Sequence, residues 1–153
     1  MILLGARMHK IIFYLLMPIS FSSMASSDVT GRWSPSCDDE EGITLTNGNS
    51  PVFFVVNHNQ IVISMQTKTT KESIDFFLVK PVDLGSGGMK LSWSNFSKKS
   101  KIATLKLHEQ SANFEWYGFY DEIKKVHSWV NDPDIIINNE IVGGGVVFYR
   151  CIK

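Results

Sequence analysis

The residue types able to do chemistry are few in this chain and stand far apart. Beyond the N-terminal stretch its histidines are His58, His108 and His127. None falls in an HxH, HxxE or HExxH spacing, and a zinc site needs three or four convergent ligands. Each reads as a solvated residue at a loop or strand end. Serines are abundant, but no GxSxG nucleophile elbow occurs. Gly143-Gly144-Gly145 would offer backbone donors to an oxyanion. With no nucleophile beside it in sequence, it reads as a bulge or barrel corner before a final strand. The GSGGMK run from Gly85 to Lys90 has the composition of a phosphate loop without its GK[ST] ending. It also precedes a strand-like run, where that motif requires a helix. Glu115 with Asp121 or Glu122 is a carboxylate grouping that strands could bring together, but the spacing does not demand it. The sequence therefore predicts no catalytic residue, no metal ligand and no cofactor.

Two features favour binding. Asp38-Asp39-Glu40-Glu41 follow directly on Cys37. Four adjacent acids repel one another, which suits a solvated loop or a basic partner. The second feature is the aromatic block Phe114, Trp116, Tyr117, Phe119 and Tyr120. Tyr117 and Phe119 share one parity and the other three share the opposite one, so both faces of a strand would carry rings. One face is core, and the other is either covered by a second sheet or exposed as an apolar patch. The candidate partner contacts are thus Asp38, Asp39, Glu40, Glu41, Tyr117 and Phe119.

The elements that must position these residues read as strands. Ile61, Ile63 and Met65 oppose Ser64 and Gln66, and Met89, Leu91 and Trp93, like Ala103, Leu105 and Leu107, alternate with polar neighbours. Ile74, Phe76 and Leu78 share a face. Val52–Val56 (VFFVV) is apolar throughout, as expected of a strand covered on both sides. Phe114–Tyr120 is rich in β-prone aromatics, and Ile135–Ile137 and Val146–Tyr149 complete the set. Asn-, Gly- and Ser-rich turns separate the runs, at residues 47–49, 57–59, 85–88, 97–100, 111–113, 131–134 and 138–139. Asp121–Trp129 carries Ile123, Val126 and Trp129 or Val130 at roughly helical spacing and is the one helix candidate, its shortness fitting a turn of helix or a plain loop equally well. Close-spaced short strands predict an all-β domain, a single antiparallel barrel or sandwich of up-and-down type.

Cys37 and Cys151 are the only cysteines, 114 positions apart. Neither has a CxxC partner or an adjacent His, so a disulfide is the simplest pairing in an oxidising compartment. Bridged Cα atoms lie within about 7 Å. The first and last strands must then be neighbours, as in a closed or nearly closed barrel.

Composition sets the frame. The chain has 153 residues, 15 Lys+Arg against 15 Asp+Glu, and 44% apolar residues. This excludes a disordered chain and a basic nucleic-acid binder, and it allows one domain. Residues 1–25 read as a signal peptide: Arg7 and Lys10, the apolar core Ile11–Ile19, and the small-residue site Ser23-Met24-Ala25. The core is well short of the roughly 20 apolar residues that cross a bilayer. Cleavage would remove two bases and no acid, leaving residues 26–153 slightly acidic.

Thr30-Gly31-Arg32-Trp33 places a Gly-x-Trp at the first strand. In this it resembles the lipocalin and calycin barrels, a likeness that implies a Trp at the barrel floor. GRWSPSC at Gly31–Cys37, with FYRC at Phe148–Cys151, also resembles small exported bacterial β proteins whose ends are stapled. The leading functional expectation is a periplasmic or secreted non-enzymatic protein that caps or inhibits another protein, as hydrolase inhibitors and immunity proteins do, the acidic run suiting a basic partner. That expectation rests on likeness of build. The alternative is a lipocalin-like carrier of a small apolar ligand, with Phe53, Phe76, Trp93 and Trp116 lining a cavity. A small hydrolase would require a histidine to cluster with carboxylates.

Overall fold

The structure, a computed structural model, describes residues 28–38, 42–48, 50–56, 61–130, 135–137, 140–142 and 145–151. The strands in chain order are β1 (Gly31–Ser34), β2 (Ile43–Leu45), β3 (Val52–Val56), β4 (Ile61–Thr69), β5 (Ser73–Asp83), β6 (Lys101–Leu107), β7 (Ser111–Trp116), β8 (Phe119–Asp121), β9 (Val126–Ser128), β10 (Ile135–Ile137), β11 (Glu140–Val142) and β12 (Val146–Cys151). Eight of them form one antiparallel sheet in the order β2-β1-β12-β7-β6-β5-β4-β3. Its two end strands approach each other without a hydrogen-bonded ladder, so the sheet is a nearly closed barrel. The predicted all-β barrel, with its first and last strands adjacent, is what the chain builds. β8–β9 and β10–β11 form two separate hairpins inserted between β7 and β12.

The alternation read from the sequence places the core. Ile61, Ile63 and Met65 of β4, and Ile74, Phe76 and Leu78 of β5, are all buried. They meet Phe54, Phe114 and Phe148 across the barrel. The Phe114 and Phe148 rings stack with centroids 5.0 Å apart, and Phe54 tilts against Phe114 at 5.4 Å. A second aromatic group closes one end: Phe119 packs on Trp93, Phe96 and Trp116 at 5.2–5.5 Å. Trp33 is buried in the core, its indole Nε1 donating to the Val29 carbonyl at 3.0 Å.

Several local expectations are corrected. Val52–Val56 is covered on one side only: Val52, Phe54 and Val56 are buried, whereas Phe53 and Val55 are 54% and 42% exposed. Met89–Trp93 is not a strand. Residues 85–88 form a single helical turn, α1, and Trp93–Asn95 a 3₁₀ turn. The Trp93 indole donates to the Gly88 carbonyl at 2.8 Å and draws this segment over Ile61. Asp121–Trp129 is a β-hairpin instead of a helix. The Asp121 carboxylate accepts the backbone N–H groups of Ile123 and Lys124, both at 2.9 Å, and so fixes a turn. Lys125 then adopts φ 57, which ends any helical path.

Candidate functional site

The residues on either side of the acidic run, Cys37 and Gly42, are held by the ends of the barrel. Arg32 of β1 faces Cys151 of β12 in the ladder. The chain beyond β1 folds back on itself, so that Cys37 returns to Cys151 and bonds to it, with Cα atoms 5.4 Å apart. Ser34 lies fully buried beneath this return. Its hydroxyl donates to the Ser36 carbonyl at 2.6 Å, and its oxygen accepts the Ser36 N–H at 3.2 Å. Where the loop re-enters β2, Gly42 has φ +134, and a Cβ there would lie 2.4 Å from the Trp33 carbonyl oxygen. Only glycine fits so close to the backbone. Asp38 is exposed on this stapled loop. Asp39, Glu40 and Glu41 lie outside the described residues. Val147 and Tyr149, on the same face of β12 as Cys151, are 40% and 51% exposed. At the neighbouring end Arg150 donates to the Thr30 carbonyl at 2.8 Å and pairs with Asp28 at 3.5 Å. The Thr30 hydroxyl and N–H hold the Asp28 carboxyl below its usual range, with Arg150 adding to the effect.

The second candidate is an open depression of about 610 Å³ lined by Ser100, Lys101, Trp116, Tyr117, His127 and Val130. β7 ends at Trp116, and Gly118 at φ +83 turns the chain into β8. A Cβ on Gly118 would lie 2.3 Å from the Ser128 carbonyl oxygen, so glycine lets the hairpin close down here. Trp129 sits at φ 59 and presents its carbonyl to the Trp116 indole N–H at 2.6 Å. The wall is equally tied. The Tyr117 hydroxyl donates to Glu115 at 3.0 Å, and Lys106 bonds the other Glu115 oxygen. Lys106 and Tyr117 hold the Glu115 carboxyl below its usual range, and Glu115 in turn raises Lys106. The Lys101 ammonium stands 5.9 Å above the Tyr117 ring and pairs with Asp75 at 3.4 Å. Thr104 donates to the same Asp75 oxygen at 2.8 Å, which explains why Thr104 is buried on the outer face of β6. The His127 ring meets Tyr120 edge-on at 5.1 Å.

The predicted contacts therefore divide. Tyr117 lines the depression and Asp38 is exposed on the stapled loop. Phe119 is corrected: it is fully buried between Trp93, Phe96 and Trp116, because the bend at Gly118 breaks the parity that would have paired it with Tyr117. Phe53, expected to line a cavity, lies on the outside of the barrel. Phe76 is packed 6.5 Å from Phe114, and Trp116 6.2 Å from Phe54. His108 is exposed and approaches the Asn113 side chain at 3.3 Å, remote from His127, and His58 lies outside the described residues. Glu115 and Glu122 bond different partners, and Asp121 is buried in its turn. Among the described residues no group of three or more His, Cys, Asp or Glu is placed to hold a metal ion. Lys101 and Val130 of the depression carry no signal in the sequence that would have assigned them to a site. No protein-family model, curated protein or solved structure matches this chain.

Proposed function

We propose that this is an exported, non-enzymatic binding protein that caps a basic surface of another protein, in the manner of an inhibitor or immunity protein. One observation carries the reading: the disulfide fixes the start of an acidic loop on the outer face of the barrel, beside the exposed Val147 and Tyr149. A loop tethered at its start by a disulfide has less conformational freedom to lose on binding, and its charges steer a basic partner. The disulfide, and the absence among the described residues of a helix long and apolar enough to cross a membrane, fit an extracellular or periplasmic protein.

The carrier reading needs a hollow interior. The rings of Phe54, Phe114 and Phe148, packed against one another in the core, favour capping over it. The test is affinity capture from the cell-envelope fraction, with the retained protein identified and its affinity measured. The variant D38N/D39N/E40Q/E41Q is expected to lose at least about tenfold in affinity, with a flatter salt dependence. Unchanged affinity would remove the loop from the interface.

A further inference from the structure

We propose that the depression at the Tyr117 end of the barrel is a second docking site, built to seat an aromatic or large apolar side chain from an acidic peptide segment of a partner protein. The inference rests on the capping reading only in taking the partner to be a protein. It uses a different surface of opposite charge.

The shape argues for a protruding side chain. A small-molecule pocket encloses most of its ligand, whereas this depression is open to solvent, with Lys101, His127 and Val130 all exposed along it. Its apolar walls are Trp116, Tyr117 and Val130, and Val130 is 52% exposed with no polar role to explain it. Both aromatic walls are locked before any partner arrives. The Trp116 indole is bonded to the Trp129 carbonyl and the Tyr117 hydroxyl to Glu115. A preformed, rigid apolar seat of this kind is what an anchor residue at a protein interface uses.

The polar groups argue for acidity. The Ser100 hydroxyl and the His127 ring nitrogens make no hydrogen bond among the described residues, and Lys101 directs one N–H at Asp75 while its ammonium has three. These groups offer donors to an incoming acceptor. Lys98 and Lys99 flank Ser100 on its loop, and Lys124 and Lys125 form the hairpin turn that carries His127; all four are exposed. Facing these five lysines among the described residues are Asp75, Glu122, the turn-forming Asp121 and Glu115, which also pairs with Lys106. The rim is therefore positive in excess, and a segment bearing carboxylates on either side of its anchor complements it. The two surfaces do not overlap. Lys101 and Trp116 mark one end of the β6–β7 pair, whereas β12 runs on from the Tyr149–Ser111 pairing at the other end to reach Cys151.

The test uses the mature protein and three synthetic pentapeptides, followed through the fluorescence of Trp116 and Trp129. One has a central phenylalanine between pairs of glutamates. The second replaces the phenylalanine by serine, and the third replaces the glutamates by lysines. Only the first is expected to bind, and its affinity should fall as salt is added. K101E and V130D should each weaken it at least about tenfold, the size of one lost charge-assisted contact. K101Q and V130S repeat the test if near-UV circular dichroism shows either charged variant unfolded. D38N/D39N/E40Q/E41Q should bind the peptide unchanged, so failure of the acidic-loop interface and failure of this site read out separately. The proposal is overturned if the serine or lysine peptide binds as well as the first, or if neither K101 nor V130 variants weaken binding. It is also overturned if free 3-phenylpropionate binds as tightly as the peptide, which would make the site one for small carboxylates.

Discussion

The barrel meets itself at two places, and they are built differently. Where β1 joins β12, three ladder pairs, the Cys37–Cys151 bond and the Arg150 contacts to Thr30 and Asp28 all hold the same seam. Where β2 approaches β3, side-chain packing does the work: Ile43 and Leu45 on one strand and Val52, Phe54 and Val56 on the other are buried in a common core. The lesson concerns sequence distance. β2 and β3 follow each other along the chain, so bringing them together costs little loop entropy. β1 and β12 are the most distant strands in the chain, and it is there that the fold adds a covalent link.

Breaking each seam tests this contrast. The largest effect is expected from C37S/C151S. Opening a 114-residue loop should lower stability by about 4–5 kcal/mol on the chain-entropy model, read as a shift in the guanidinium midpoint. A loss below about 1 kcal/mol, within the scatter of ordinary surface changes, would mean that the ladder alone holds the seam. Ile43→Ala comes next. Ile43 is fully buried opposite Trp33, and its truncation should cost about 3 kcal/mol by the same measurement, because the second seam has packing in place of a bond. The smallest effect belongs to Asp28. Its carboxyl titrates below the usual range when folded, so its contribution is complete above the usual carboxylate pKa and is lost as pH falls through the lowered value. Asp28→Asn should flatten the acid limb of Tm against pH slightly, lowering the neutral-pH Tm a little and leaving the Tm at acid pH, where the carboxyl is protonated, almost unchanged.

The fold was legible where local pattern and burial agree. Alternation in β4 and β5 fixed their inward faces, and the two cysteines alone implied that the ends of the domain meet. Legibility failed where a single backbone event overrides pattern. VFFVV is apolar on both faces, so its composition says nothing of the open side at Phe53 and Val55. Met89, Leu91 and Trp93 alternate, yet the Trp93 indole bond to Gly88 coils the segment. Asp121 turns a helical spacing into a hairpin through two backbone bonds. Of the candidate sites, the acidic loop was visible as a charge run and its anchoring as a cysteine beside it. The depression was not visible, because it depends on Gly118 and Trp129 bringing residues from three separate segments together.

The bond from Cys37 to Cys151 makes a covalent ring of nearly all the described chain. A protease that nicks any loop between those two residues cannot release a fragment, since both pieces stay joined through sulfur. Such a nicked molecule would run as one species without reductant and as two with it.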